Sequence, residues 1–294
     1  MKFTHFHVHS QYSILDGAAS IPGLIDKALA DGMPALSLTD HGNMFGIKLF
    51  YDTCRKKGIK PILGCEAYVA RVSRFNKEKP IDRSGEHLII LAKNLKGYRN
   101  LVKLTSAAFV DGFYYRPRID KELLEKHHEG LIISSACLGG EIDQKIMAGD
   151  LEGAEKAAQW YKDLLGDDYY LEVMRHPTTD PKQRAEIYDN QELCIREKLK
   201  IAQKLNIKII ATNDVHFLNA EDAEAHDLLI CLNTRKDIDD PNRMRYTRQE
   251  WFKTTQEMVD LFPDLPEAIE NTQEITEKVE IYELDSDPLM PVFP

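Results

Sequence analysis

The chain has 294 residues, 43% hydrophobic and 29% charged, with a formal net charge of −10. That length can bury a large core as one barrel-sized domain or two smaller ones, and the acid excess argues against a surface built mainly to grip a phosphate backbone. No apolar run approaches the ~18 residues of a membrane helix, no charged-then-apolar leader precedes His5, and five scattered cysteines (Cys54, Cys65, Cys137, Cys194, Cys231) suit reduced thiols in a cytoplasmic protein.

The opening stretch His5-Phe6-His7-Val8-His9 reads as a strand. Alternate side chains then share a face, so His7 and His9 point the same way, with Asp16 following in a loop. His5 has the same parity but would lie roughly 7 Å behind His9's neighbourhood, at ~3.3 Å per residue, and reads as a buried neighbour. A histidine-rich surface strand is the bland alternative. Ser20 and Pro22 start a helix that ends near Asp31-Gly32. Ala35 to Leu38 is a strand, Asn43 to Lys57 a helix stopped by Gly58, and Lys60 to Val69 a third strand. This alternation predicts parallel strands with helices outside.

Arg71 to Glu86 is a polar loop, either a solvated excursion or a DNA contact. Leu88 to Ala92 is a strand, Leu95 to Phe109 a helix and Gly130 to Ser134 a strand. Helices follow at Gly140 to Ala148 and Leu151 to Leu165, then a strand from Tyr169 to Met174. Asp180-Pro181 opens a long helix to about Leu205, and Ile207 to Ala211 is the seventh strand. Ala220 to Leu232 and Gln256 to Val279 read as helices. Residues 281–294, with three prolines near their end, read as an extended linker after a domain spanning 1–280.

Several ligand-type residues stand just past short apolar runs: Asp40-His41-Gly42, Gly64-Cys65-Glu66 and Asn213-Asp214-Val215-His216. In α/β barrels and open α/β sheets, chemistry collects at that end of the strands. Together with His7-x-His9 and Asp16-Gly17, these fragments resemble the polymerase-and-histidinol-phosphatase (PHP) domain. Gly112 to Asp120 and Asn213 to Tyr246 are similar to the version found in the bacterial replicative DNA polymerase III alpha-subunit family.

The resemblance implies a distorted (β/α)7 barrel and nine candidate metal ligands: His7, His9, Asp16, His41, Glu66, His87, Cys137, Asp214 and His216. Nitrogen, oxygen and sulfur donors together suit two or three divalent ions of zinc, manganese or iron, with Glu66 as the candidate bridge. Two positions stand apart. His87 precedes its apolar run, so either that strand is antiparallel or His87 belongs to a loop; Cys137 could equally be a small buried residue. Asp214, His216, Glu66 and Asp40 are the candidate catalytic groups, with Asp40 orienting a ligand imidazole. Asp214 and His216 are expected on one strand face.

Paired divalent ions suit phosphoester hydrolysis. The resemblance makes the meaningful version 3′→5′ exonuclease proofreading at a primer 3′ end, with the polymerase core of a longer chain beyond the linker. Arg116, Arg118, Arg243, Arg245 and Arg248, with Tyr114, Tyr115 and Tyr246, are candidate strand contacts. The competing readings are a metal-stabilised scaffold that braces the polymerase and docks a separate proofreading exonuclease subunit, and a free-standing phosphatase. No membrane partner is expected.

Overall fold

The computed structural model describes residues 1–285 and Met290. In chain order the first elements are α1 (Ile21–Ala30), β1 (Ala35–Leu38), α2 (Ile47–Lys57) and β2 (Lys60–Val69). Next come β3 (Glu86–Ala92), α3 (Leu95–Val110), β4 (Arg118–Ile119), α4 (Lys121–His127) and β5 (Leu131–Ser134). The middle of the chain gives α5 (Glu141–Met147), α6 (Leu151–Leu165) and β6 (Tyr169–Met174). After α7 (Pro181–Gln183) a π-helical stretch, Arg184–Tyr188, runs into α8 (Asp189–Leu205). The last elements are β7 (Lys208–Thr212), α9 (Ala223–Thr234), α10 (Thr255–Leu261) and α11 (Pro266–Lys278).

The strands form one curled sheet in the order β1-β2-β3-β5-β6-β7, with β4 pairing beside β2. β1 with β2, β5 with β6 and β6 with β7 are parallel, whereas β3 is antiparallel to both its neighbours. The opening segment closes the ring between the two sheet edges. Thr39 N donates to Val8 O (2.9 Å), and His9 N to Val215 O (2.7 Å). It holds a single bridge, Val8 with Val215, rather than the expected strand, because Thr39 Oγ1 captures the Val8 N–H at 2.8 Å. With that segment as the seventh member, the architecture is the distorted α/β barrel.

Two apolar clusters follow from the two-residue period of the strands. One lies between the sheet and the helices around it. The other is small and takes Ala35, Ile62, Ile89, Ile132, Tyr170 and Ile210 from successive strands, with Ile275 and Val279 of the α11 end. Two or four positions further along the same strand faces come Ser37, Glu66, Ser134, Glu172 and Thr212, all buried. Each inward file thus changes from apolar to polar toward one end of the barrel, and the candidate ligands collect there.

Several boundaries differ from expectation for local reasons. The helix expected over Gln256 to Val279 is two, because Pro263 supplies no N–H and Pro266 starts a new first turn. The helix expected from Asn43 starts only at Ile47, since the Asn43 amide is spent on Tyr12 O and His41 O. The short strand β4, which leads into α4, was not expected. The N-cap of α4, Asp120, accepts from Leu123 N and also holds Arg74 at 2.8 Å. The linker expected at residues 281–294 falls largely outside the described residues; the part within them packs on α2, where Tyr51 Oη donates to Glu283 (2.9 Å). No described helix is long and apolar enough to cross a membrane.

A buried ion pair ties α8 to the barrel wall. Lys198 Nζ lies 2.8 Å from Asp143 Oδ1 and donates to Glu172 O at 2.5 Å, both side chains being almost inaccessible. Lys198→Met would leave Asp143 buried and alone, and should cost about 3–5 kcal/mol in urea unfolding. Adding Asp143→Leu should return most of that loss; a double variant no better than the single one would contradict the pairing.

Candidate metal centre

His7 and His9 leave the opening segment on one side, as their parity requires. His7 Nε2 lies 3.3 Å from Glu66 Oε1 and 3.1 Å from Asp214 Oδ1. His9 Nε2 lies 3.1 Å from Glu66 Oε2 and 3.2 Å from Asp214 Oδ1. His41 places Nδ1 2.6 Å from Glu66 Oε2 and Nε2 3.0 Å from Asp16 Oδ2. His87 Nδ1 is 2.7 Å from Glu66 Oε1 and 3.6 Å from Cys137 Sγ. The antiparallel course of β3 is what brings His87 to this end. Glu66 therefore faces four imidazoles and, at 4.0 Å, the Cys137 thiol.

Asp16 sits in a tight turn in which Asp16 N and Gly17 N both donate to Ser13 O. A Cβ at position 17 would lie 2.1 Å from Ser10 O, so only glycine permits the turn. His226 Nε2, 2.9 Å from Asp16 O, buttresses it from α9. The Tyr246 hydroxyl bridges the outer donors, 3.0 Å from Asp16 Oδ1 and 3.2 Å from His216 Nε2.

Asp214 and His216 do not share a strand face. β7 ends at Thr212, and Asp214 takes a left-handed conformation, φ 49°. Its carboxylate then meets His7 and His9, while His216 donates Nδ1–H to Asp214 O (2.8 Å) and turns Nε2 toward Asp16 and Tyr246. His176, 3.1 Å from Asn213 O, packs behind this turn. Asp40 reaches an imidazole only through Ser13: its carboxylate is saturated by Ser10 N (2.7 Å), Ser10 Oγ and Ser13 Oγ (2.8 Å) and touches no donor imidazole directly. It is a positioning residue. Ser13, its proton given to Asp40, accepts the His9 Nδ1–H at 2.9 Å and leaves His9 Nε2 free. His5 is buried against Phe3, Phe252 and Lys253 O.

Glu172 was missed. It is fully buried and accepts from His7 Nδ1 (3.0 Å), Ser134 Oγ (2.6 Å), Thr212 Oγ1 (2.7 Å) and Ala136 N (3.2 Å). The signal was a single carboxylate inside the otherwise apolar run Tyr169 to Met174. By taking the Nδ1–H it fixes the His7 tautomer with Nε2 toward the cluster. Glu172→Gln should weaken divalent-ion binding about 10–100-fold, read by competition with a chromogenic chelator; an unchanged affinity would remove Glu172 from the site.

The charges are those of a cation site. Despite burial, which disfavours it, Asp214, Glu66 and Glu172 hold a proton on His7 well above the ordinary imidazole range. Burial and the nearby His9 push His216 down to about 4, leaving it a neutral donor. Burial, Asp214 and Glu66 push the Cys137 thiol well up, so a thiolate there needs a close cation. His7 Nε2, His9 Nε2, His41 Nδ1, Glu66 Oε2 and Asp214 Oδ1 are buried without a hydrogen-bond partner, yet they face one another. Metal–donor bonds of ~2.1 Å put donors ~3.0–3.4 Å apart around one ion. The 3.1–3.3 Å separations above match that spacing, and the His41–Glu66 and His87–Glu66 pairs are tighter. The donor set fits divalent metal.

Above these donors is an open cleft of about 450 Å³ whose rims carry Arg116, Met244, Arg245 and Tyr246. Two of the expected strand contacts are structural instead. Arg118 is 0% exposed and donates to the carbonyls of Gly112, Asp82, Arg74 and Asn76. Arg243 is buried in a bidentate pair with Asp227 (2.5 and 2.6 Å).

Fold and site together define an α/β barrel with a candidate multinuclear metal centre at the mouth. Residues 5–176 match the PHP domain, and the chain belongs to that family. It is 45% identical over 293 residues to the DNA polymerase III subunit alpha of Borreliella burgdorferi, a match covering 99% of this chain and 25% of that protein. With the subunit of the same name from Treponema pallidum, identity is 43% over 296 residues, covering 100% of this chain and 24% of the relative. The chain thus spans about a quarter of the length of these relatives. Among solved structures, a putative metal-dependent phosphoesterase from Bifidobacterium adolescentis matches with a TM-score of 0.42 and 13% identity, covering 88% of this chain and 96% of that one.

Proposed function

We propose that this domain, residues 1–280, hydrolyses phosphodiester bonds at the 3′ end of a DNA strand, as the 3′→5′ proofreading part of a DNA polymerase III alpha-subunit. The observation that carries the reading is the group of five buried, partnerless donor atoms converging beneath an open cleft. His7, His9, Asp214 and Glu66 would hold one ion; His87, Cys137 and Glu66 a second; and Asp16, His41 and His216 a third. Zinc, manganese or iron would suit these donors. Such ions supply an activated water and neutralise charge on the phosphoryl and leaving oxygens.

The remaining roles belong to the chain itself. Glu172 and Ser13 fix the His7 and His9 tautomers, and Tyr246 holds Asp16 against His216. Arg116, on the rim of the cleft, orients the non-bridging phosphate oxygens. The water oxygen bonds to phosphorus as the bond to the penultimate O3′ breaks. That O3′ takes up a proton, and the terminal nucleoside leaves as its 5′-monophosphate. Residues 281–294 would lead to the polymerase core of a longer cytoplasmic chain.

The test is a 5′-labelled single strand incubated with metal-loaded protein of measured metal content. A ladder shortening from the 3′ end is expected. An intact strand would give way to a second reading, a metal-stabilised brace that docks other replicase parts such as a separate proofreading exonuclease. That reading has its own support in an uncovered apolar patch on α3 and before α2. Phe45, Phe109 and Phe113 stack there at 5.9 and 6.2 Å between rings, beside Val110 at 80% exposure.

A further inference from the structure

Beside the metal cleft is a second depression of about 580 Å³, walled by residues 177–180, Gln183, Asp227, Arg243 and residues 245–249. Arg245 and Tyr246 line both hollows, so the two are adjacent. Its floor is the Arg243–Asp227 pair, whose other Arg243 donors are spent on Ile238 O and Met244 O. That pair neutralises Asp227; the other carboxylate on the wall, Asp180, accepts from Gln183 N as the N-cap of α7. Among the described residues Arg245 forms no ion pair, and Arg248 only a long one, 3.9 Å from Asp227.

The backbone here is committed to its shape. Arg248 is left-handed, φ 67°, a costly conformation for a long side chain. It is held by the turn around it: Thr247 N and Oγ1 both donate to Glu250 Oε1, at 3.1 and 2.6 Å. His216 N donates to Glu250 O at 2.8 Å, which locks this turn to the metal-site segment. Two uncommitted guanidinium groups are thus set at a fixed position beside the donors, in a protein of net charge −10. On the other rim, Arg116 lies over the Tyr68 ring at 5.6 Å.

We propose that the depression is a subsite for a phosphodiester of a single-stranded nucleic acid outside the bond being cut, and that Arg248 with Arg245 makes the domain select a strand over a mononucleotide ester. The selectivity half of this rests on the phosphodiesterase reading above. A strand lying in the depression continues over the metal donors toward Arg116, with aromatic faces along the way for its bases.

The experiment has a binding arm and a kinetic arm. Fluorescence anisotropy of a labelled oligothymidylate 12-mer is measured with the Asp214→Asn protein, alone and with Arg245→Ala/Arg248→Ala added. The added pair should weaken binding tenfold or more and flatten the slope of log K against log salt by about 1.4, two phosphates at ~0.7 each. Arg248→Lys should keep its share of the slope. In the active protein, Arg248→Ala should lower kcat/KM for the 12-mer, relative to that for the nitrophenyl ester of thymidine 5′-monophosphate, at least tenfold. An unchanged slope and ratio overturn the subsite, and so does an equal loss on both substrates, which would put Arg248 in the chemistry. Arginine-dependent binding by a wild type that cuts neither substrate overturns the phosphodiesterase reading and leaves the strand subsite standing.

Discussion

Asp214→Asn should reduce phosphodiester hydrolysis by two or more orders of magnitude, with an unchanged far-UV spectrum and a lower bound-metal content. The backbone gives no reason for misfolding. Asp214 sits at φ 49°, and asparagine is among the residues that enter this region most readily. What changes is charge. Burial disfavours the anion, yet His7 and His216 hold the carboxyl well below its usual range, so the native group is ionised. Its Oδ1 is buried, has no hydrogen-bond partner, and stands 3.1 and 3.2 Å from the free nitrogens of His7 and His9. An amide fills the same space but offers only a neutral donor to a cation. The decisive comparison uses wild type and variant purified in parallel and loaded with the same metal. Equal degradation of a primer by both would mean that the activity lies elsewhere.

The same residue shows where the sequence stops being legible. Parity along a strand was enough to put His7 and His9 on one side, and the apolar runs marked nearly every strand of the barrel. Parity failed at Asp214 and His216 because the strand ends two residues before Asp214, and a left-handed residue redirects everything after it. A local pattern carries no information on such a turn when the residue is not glycine. At His87 the residue's position before its apolar run left two alternatives open, an antiparallel strand or a loop, and β3 is antiparallel. The polar loop from Arg71 to Glu86 says that the chain leaves the sheet, not that it re-enters antiparallel.

Buried polar residues were the other gap. Glu172 shares an inward file with Tyr170 and has to be a partnered carboxylate once that face is known, but the face is known only after the strands are closed into a ring. Arg118 failed in the opposite sense. Next to Tyr114, Tyr115 and Arg116 it reads as part of a basic-aromatic surface, whereas four backbone carbonyls draw its guanidinium inside. Composition marks a cation; only the loop's path decides whether that cation meets solvent or carbonyls.

Removal of bound metal should lower the melting temperature by about 8 °C or more, and His9→Ala should reproduce most of the drop. Ions that bind only the native state stabilise it by RT ln(1 + [L]/Kd), ~4 kcal/mol at a thousandfold excess over Kd, and ~2 °C per kcal/mol is reasonable for a chain of this size. The electrostatics add to this. Glu66, Asp214 and Glu172 are all shielded from solvent or nearly so, and without a cation only protonated imidazoles offset them. His9 is the right residue to truncate because it faces both Glu66 and Asp214 and packs against the rings of His41 and His216 at 4.0 and 4.4 Å, so four of the candidate donors border it. The check is differential scanning fluorimetry before and after chelation, with metal content measured on each sample. In the His9→Ala protein, chelation should shift the curve little further. A wild-type melting curve that stays in place with the metal verifiably gone would mean that the barrel mouth is held together by protein contacts alone.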